Sequence, residues 1–138
     1  MVRLAKEHDL ESILELYLDL HEDTVPEDSE KRRNVWTRIL RDENYNLIVN
    51  EIDGIIVSSC TCIIVPNLTR NITPYALVEN VVTKKEYEGN GYARECLNYA
   101  KKIAEDNGCY KIIYIINSRQ SHKNSFFIHQ IRQLFLLS

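Results

Sequence analysis

The sequence predicts one α/β domain over residues 1–138, built on a mixed, mostly antiparallel sheet flanked by helices. Three observations support this fold class. Apolar patterns follow one another in the order β-α-α-β-β-β-α-β along the chain. Asp53-Gly54 lies between two apolar runs and is a strong hairpin signal, which indicates antiparallel neighbours. A glycine-rich turn at residues 88–93 then joins an apolar run to a helical pattern.

The first half of the chain supplies one strand, two helices and a hairpin. Val2 to Ala5 is a short strand candidate. The next apolar side chains recur at i, i+3, i+4, i+7 and i+8, which predicts an amphipathic helix: Leu10, Ile13, Leu14, Tyr17 and Leu18. The acidic segment His21 to Ser29 predicts a loop, and a second helix follows around Trp36. Tyr45 to Glu51 and Ile55 to Val65 then form the hairpin strands.

The second half predicts two strands with a helix between them. The polar segment Pro66 to Pro74 is a loop, and the strand Tyr75 to Thr83 follows. The helix after the glycine-rich turn ends at Gly108, since glycine is common just beyond a helix. Cys109 to Ile116 is almost wholly apolar and predicts a strand covered on both faces. Apolar residues at helical spacing predict a final helix from Ser121 to Leu136.

The composition is that of an ordinary folded domain. Apolar residues make up 44% of the chain and charged residues 27%. The net charge of −3 gives no basis for a nucleic-acid or membrane partner, and no apolar run reaches membrane-spanning length. The four cysteines are too scattered for a disulfide framework and lack zinc-ligand spacing. We therefore expect no metal and a cytoplasmic location.

The glycine-rich turn carries the strongest functional signal in the chain. Its two glycines leave backbone N–H groups uncovered, and the helix that follows adds unpaired N–H donors and its positive end. Such a turn can cradle a phosphate or pyrophosphate. A P-loop is excluded because Gly91 is followed by Tyr92-Ala93 rather than Lys-Ser/Thr. A dinucleotide motif fits poorly because Arg94 stands where its third glycine is required.

The turn resembles the pyrophosphate loop of the GNAT superfamily of acyl-CoA-dependent N-acetyltransferases, R/Q-x-x-G-x-G/A between the fourth strand and third helix. The resemblance covers roughly residues 2–116 and includes the element order. It implies acetyl-CoA as cosubstrate, with its pyrophosphate on six residues: Glu88, Gly89, Asn90, Gly91, Tyr92 and Ala93. Glu88 departs from the usual Arg or Gln. Because like charges about 4 Å apart repel by about 1 kcal/mol in water, we expect weakened affinity for the cofactor.

The resemblance also implies where the pantetheine arm of acetyl-CoA lies. In the family, the strands equivalent to Tyr75–Thr83 and Cys109–Ile116 splay apart, and the pantetheine fills the gap between them. It hydrogen-bonds to the exposed backbone of the first strand, much as an added strand would. Val81, Val82 and Thr83 are the positions expected to make these contacts.

Glu79 is the candidate general base. It is a carboxylate in an apolar run, at the strand position where family members often hold a base. Burial there would raise the pKa of the carboxylate toward a value useful for accepting a proton. A solvent-facing or ion-paired role for Glu79 is the alternative, and His21 and Glu22 are weaker candidates for the base. The acceptor is a primary amine of a small molecule or peptide, which the sequence does not identify.

The C-terminal end departs from the family. Phe127 stands where the family has a tyrosine that protonates the leaving thiolate, and the last β-hairpin is expected to be missing. The predicted final helix and the uncovered edge of the fifth strand would expose more apolar surface than a monomer usually does. The sequence therefore predicts a homodimer. It also leaves open a catalytically impaired CoA-binding or oligomerising protein as the alternative to an active enzyme.

Overall fold

The computed structural model describes residues 1–116 and 130–136. In this part of the chain six strands form one sheet, in spatial order from β1 to β6. All neighbouring strands are antiparallel except β4 and β5, which run parallel. The strands are β1 (Val2–Leu4), β2 (Tyr45–Ile52), β3 (Ile55–Val65), β4 (Tyr75–Thr83), β5 (Lys111–Ile116) and β6 (Gln130–Phe135). The mixed, mostly antiparallel sheet predicted from the sequence is confirmed.

Three helices flank the sheet. They are α1 (Leu10–Leu16), α2 (Glu30–Arg41) and α3 (Tyr92–Asp106). The helical pattern at Tyr17 and Leu18 continues α1 as a 3₁₀ turn, Tyr17–Asp19. At the start of α2, the Oγ of Ser29 accepts a 3.1 Å hydrogen bond from the backbone N–H of Arg32, which caps one of the unpaired donors.

The loop between β3 and β4 contains a short helical turn that the sequence did not predict, Thr69–Ile72. Its backbone is irregular, because Arg70 and Asn71 have φ values of 53° and 65° in the left-handed region. Asn67 holds the loop closed: its side-chain amide donates to the backbone oxygens of Thr69 (3.1 Å) and Thr73 (3.0 Å).

The two faces of the sheet carry separate apolar clusters. On one face, α3 packs against the sheet through small side chains, Cys96, Ala100 and Ala104, all of which are fully buried. On the other face, α1 and α2 contribute Ile13, Leu16 and Trp36 to a second cluster. Small residues on α3 let the helix approach the sheet closely, which fixes where its N-terminus lies.

β5 is less buried than its apolar sequence predicts. Ile112 is fully buried, but the other five residues of the strand are half-exposed. The expectation of a strand covered on both faces was therefore wrong. The reason is the position of the helices, since α1 and α2 pack mainly over β3 and β2.

The C-terminal residues form a strand where the sequence predicted a helix. β6 pairs with the whole length of β5, from Lys111 opposite Phe135 to Ile116 opposite Gln130. The predicted helix Ser121 to Leu136 was wrong at 130–135, because pairing with β5 overrides local helical periodicity. The predicted bare edge of the fifth strand was also wrong, and one strand of the hairpin expected to be missing is present. Phe127 lies outside the described residues.

Candidate functional site

A gap opens beside β4 where its pairing with β5 stops. The two parallel strands are paired only from Ala76 opposite Ile112 to Val78 opposite Tyr114. β4 continues to Thr83, past the last of these pairs. In the described part of the chain, the β5-facing edge of β4 beyond Val78 therefore has no strand partner. Backbone groups of this edge, at Val81 in particular, can pair with a ligand that extends along the strand.

A β-bulge in β4 lies at the start of this gap. Thr61 of β3 is opposite Glu79, whereas Ser59, two residues earlier in β3, is opposite Val82. β4 thus has one more residue than β3 in this stretch, and Asn80 adopts a left-handed φ of 53°. A bulge bends its strand and increases the local twist, and the pairing of β4 with β5 ends at Val78, directly before this bulge.

The glycine-rich turn closes the far end of the gap. Gly89 and Gly91 have φ values of 80° and 81°, a region that other residues adopt at a cost. Gly91 is the N-cap of α3 and no side chain caps this helix. The N–H groups of the first turn of α3 therefore keep the positive end of the helix dipole open to an anion. This is the arrangement that the sequence predicted for a phosphate cradle.

These elements enclose a cleft of about 350 Å³. Eight of the nine predicted cofactor-binding residues line it: Val81, Val82, Thr83, Glu88, Gly89, Gly91, Tyr92 and Ala93. Asn90 is the exception, because its side-chain amide folds back and donates to the backbone oxygens of Tyr87 (2.9 Å) and Glu88 (3.3 Å). Asn90 holds the shape of the turn rather than facing the cleft.

Four residues line the cleft that the sequence analysis did not assign to it: Asp19, Leu20, Tyr87 and Arg94. Arg94 is the most informative, because a guanidinium on the first turn of α3 adds positive charge where Glu88 contributes negative charge. Arg94 could have been predicted from the sequence, since it directly follows the glycine-rich turn. Asp19 and Leu20 come from the 3₁₀ turn after α1, and only the tertiary fold brings this segment to β4.

Glu79 lies one strand away from a fully buried threonine, on the sheet face covered by α1. The register places Leu47, Thr61 and Glu79 side by side across β2, β3 and β4. Tyr45 is two residues before Leu47 and so lies on the same face. Glu79 is half-exposed, so its carboxylate is not shut away in the core. This position, at the bulge and beside the gap, is compatible with the role predicted from the sequence.

Two tyrosines stand close to Glu79. Burial raises the pKa of the Tyr17 phenol, and the neighbouring Tyr45 and Glu79 raise it further. Burial also raises the pKa of the Tyr45 phenol, and Glu79 adds to the shift. Thr61 opposes both shifts, because its hydroxyl faces the two phenols. Both tyrosines therefore remain protonated and neutral at any pH where the protein would work.

The weaker candidates for the base lie at the surface, and the buried cysteines are not nucleophiles. His21 and Glu22 form an exposed pair with each other, with 3.4 Å between Nδ1 and Oε1. Burial raises the pKa of the Cys62 thiol to about 12 and of the Cys96 thiol to about 11. These thiols stay protonated, and the thiolate is the nucleophilic form. They pack as small apolar side chains.

Across residues 1–116 and 130–136, no group of three or more His, Cys, Asp or Glu side chains is placed to hold a metal ion. In the same ranges, none of the helices has the length and apolar character needed to span a bilayer.

Comparison with known proteins gives a consistent result. The family model described as the acetyltransferase (GNAT) family matches residues 10–127. A proposed acetyltransferase from Agrobacterium tumefaciens is 34% identical, with a TM-score of 0.77 over 88% of this chain and 83% of that one. An acetyltransferase from Trypanosoma brucei is 29% identical, with a TM-score of 0.74 over 87% and 84%. A transcriptional regulator from Bacillus halodurans is 25% identical, with a TM-score of 0.73 over 87% and 83%.

Proposed function

Because the chain belongs to the acetyltransferase (GNAT) family, we propose that it transfers an acetyl group from acetyl-CoA to a primary amine. One observation carries this proposal. The uncapped N-terminus of α3, flanked by Gly89 and Gly91, lies at the end of the gap beside β4, in a single cleft of about 350 Å³. An anion cradle joined to a strand edge that no described strand covers fits a ligand with a pyrophosphate and an amide-bearing arm.

Acetyl-CoA fits the residues that line this cleft. The backbone N–H groups at residues 89–93 would hold the pyrophosphate, and Arg94 would offset part of the repulsion from Glu88. Backbone groups of Val81 and Thr83 would pair with the pantetheine amides as a short added strand does. The Val82 carbonyl already accepts a 2.8 Å hydrogen bond from Ser58 Oγ, which holds this part of β4 in place.

The bound acetyl-CoA would supply a thioester carbonyl for attack by the amine nitrogen. The chain's own part is to deliver that amine in its neutral form, and Glu79 would accept the proton that the ammonium must lose, directly or through a water. Its half-exposed position allows the proton to pass on to solvent. When the carbon–sulfur bond breaks, the thiolate that leaves must be protonated in turn.

A catalytically impaired CoA-binding protein is the second candidate. Phe127 favours it, because phenylalanine has no hydroxyl to protonate the thiolate at the position where the resemblance expects a tyrosine. Phe127→Tyr should then raise the rate of transfer if the side chain at this position lies beside the sulfur. Full-rate transfer by the wild type would show that no tyrosine is needed there.

We further propose a homodimer formed at the β6 end of the sheet. β6 is the outer strand of the described sheet, and two of its apolar side chains are exposed, Leu134 (39%) and Phe135 (57%). Tyr110 stacks beside Phe135 at 6.5 Å, and the Arg70 guanidinium lies over the Tyr110 ring at 5.3 Å. Aromatic side chains and arginine are enriched at protein interfaces, and an edge strand can pair with its copy about a two-fold axis.

We also place the protein in a reducing, cytoplasmic environment. All four cysteines are free and buried: Cys60, Cys62, Cys96 and Cys109. A protein that folds in an oxidising compartment usually joins its cysteines as disulfides.

Two measurements on the purified protein test the proposed function. Thermal unfolding with and without CoA tests binding, since a ligand of the native state alone raises Tm by mass action. Release of free thiol from acetyl-CoA, with a panel of primary amines, tests transfer. CoA protection with amine-dependent thiol release is the expected result. CoA protection without thiol release favours the impaired protein, and no CoA protection contradicts both.

A further inference from the structure

Tyr17, Tyr45, Thr61 and Glu79 form a polar cluster on the sheet face covered by α1 and α2, and we call it the tyrosine cluster. Tyr17 comes from the 3₁₀ turn after α1, which packs against β4. Tyr45 opens β2, and the sheet register brings Thr61 and Glu79 directly beside each other. Three distant parts of the chain therefore deliver hydroxyl groups next to one carboxylate. Apolar packing alone gives no reason for this collection of polar groups.

Thr61 is the least expected member of the tyrosine cluster. Its side chain is fully buried, and in the described part of the chain its Oγ1 has no hydrogen-bond partner of ordinary length. A buried hydroxyl without a partner is unfavourable, and valine of the same shape would remove the penalty. Tyr17 and Tyr45 pack against the apolar cluster on this face, and the nearby Thr61 hydroxyl lowers the pKa of both phenols. It can orient both phenols when a ligand draws them into place.

The charges of the tyrosine cluster favour a cation. Both phenols are neutral, so Glu79 contributes the only formal charge among the four side chains. A carboxylate, two phenol oxygens and two aromatic rings can together hold one ammonium group, by hydrogen bonds and by cation–π attraction. The segment that follows Tyr17 is acidic, with Asp19 and Glu22 close in sequence. An anionic group near the amine would therefore be repelled.

We propose that Tyr17 and Tyr45 bind the acceptor amine beside Glu79, with Thr61 positioning the two phenols. The acceptor class is an alkylamine cation without an anionic group near its reactive amine. This inference rests on the proposed function and adds to it the site and chemical class of the acceptor. The two phenols are specificity-determining groups, and the proton still leaves through Glu79.

The test is direct binding of three amines with the same four-carbon chain, measured by titration calorimetry on protein saturated with CoA. The probes are butylamine, 1,4-diaminobutane and 4-aminobutyrate, which carry a neutral, a cationic and an anionic far end. We expect butylamine and 1,4-diaminobutane to bind at least about tenfold more tightly than 4-aminobutyrate, because the carboxylate of 4-aminobutyrate is repelled by Glu79 and by the acidic segment after Tyr17.

Variants then assign the site. Tyr17→Phe and Tyr45→Phe each remove one hydroxyl, and each should weaken 1,4-diaminobutane binding about tenfold. Thr61→Val should weaken it less and leave the protein no less stable. Tyr99→Phe is the matched control, because Tyr99 is a half-buried tyrosine of α3, on the opposite face of the sheet. It should leave 1,4-diaminobutane binding unchanged. The thermal shift produced by CoA should be the same in all four variants.

The outcomes separate this inference from the proposed function. A lost CoA shift in the wild type would contradict the proposed function itself. Three outcomes with an intact CoA shift would contradict the tyrosine cluster alone. These are that none of the amines binds, that 4-aminobutyrate binds as tightly as the other two amines, or that Tyr17→Phe and Tyr45→Phe bind 1,4-diaminobutane as Tyr99→Phe does. When thiol release is measured, Tyr17→Phe and Tyr45→Phe should raise the KM for the amine and leave the KM for acetyl-CoA unchanged.

Discussion

Single carboxylates in this protein have very different surroundings, and these decide their roles. Asp9 is 3% exposed and accepts hydrogen bonds from the Arg3 guanidinium (2.7 and 3.1 Å) and the Lys6 N–H (2.7 Å). Glu79 is half-exposed at a bulge beside the cleft. The first carboxylate is held as an anion for stability, whereas the second is reached by solvent and lies where the proposed function requires a base.

Replacing Glu79 with glutamine should lower turnover far more than CoA affinity. The amide has nearly the same shape but cannot accept a proton, and loss of a general base typically costs about 10²–10⁴-fold in rate. The ascending limb of the pH–rate profile should also disappear. Steady-state kinetics across pH, together with the CoA thermal shift, measure both effects. A variant within about twofold of wild type would assign Glu79 a structural role.

Asp9→Asn should destabilise the protein by about 3 kcal/mol at neutral pH, because it leaves Arg3 without its buried partner. Arg3 holds the pKa of Asp9 below its ordinary value. The stabilisation is therefore present above the unfolded pKa of about 4 and is lost as pH falls through the lower folded pKa. The gap between wild type and variant should shrink from pH 7 to pH 2 in denaturant unfolding.

The matched control for Asp9 is Asp28→Asn. Asp28 pairs with Arg33 at 2.9 Å, but both side chains are largely exposed. Such a pair contributes about 0–1 kcal/mol. If the Asp9 and Asp28 variants lost equal stability, or if the Asp9 effect were independent of pH, the buried ion pair would not be what holds the N-terminal segment.

The element that matters most for the proposed binding of CoA is the junction between the glycine-rich turn and α3. Gly91 combines two properties there: a left-handed backbone, and no side chain over the first N–H groups of the helix. The apolar side of α3 then fixes the helix against the sheet. The turn and the strand edge of β4 are held in one cleft for this reason.

Gly91→Val should abolish the CoA thermal shift, because a branched side chain disfavours φ near +81° and covers the N–H cradle. Gly54→Val is a close control, since Gly54 has φ of +80° and open space around an added Cβ, as Gly91 does, but lies in the β2–β3 turn. Both variants should lose about 1–3 kcal/mol of stability. Equal CoA protection of both would remove the pyrophosphate assignment.

At the scale of the whole molecule, the sheet ends at β6 in the described part of the chain. β6 covers the edge of β5 and brings Leu134 and Phe135 to the surface. Leu136 packs against the α3-side cluster. The proposed dimer therefore depends on β6, rather than on the bare fifth strand expected from the sequence.

Light scattering should find a dimer at micromolar concentration, and Phe135→Glu should convert it to a monomer by placing a charge in the apolar contact. Val35→Glu serves as control, because Val35 is also exposed (46%) but lies on α2, away from β6. The assembly proposal fails if the wild type is monomeric. It also fails if Phe135→Glu and Val35→Glu have the same oligomeric state.

The sequence by itself determined β1 to β5, the helices α1 to α3 and the glycine-rich turn. β3 and β4 begin and end where the sequence predicted, because a hairpin turn, β-branched residues and a polar loop are local signals. Gly89 and Gly91 were also readable, since a left-handed backbone beside a helix start calls for glycine. Eight of the nine residues predicted to bind the cofactor line one cleft, and their prediction followed from this local pattern together with the family resemblance.

Only the tertiary structure decided what distant segments do together. Residues 130–135 have helical apolar spacing, yet they form β6 because β5 offers an unpaired edge with backbone groups to satisfy. Asp19 and Leu20 reach the cleft through contacts with residues about 60 positions away, and this leaves no local trace in the sequence. Tyr17 and Tyr45 likewise come close to Glu79, about 60 and about 30 residues further along the chain. Periodicity reports how one segment repeats, whereas the register between strands and the docking of helices depend on partners far away in the sequence.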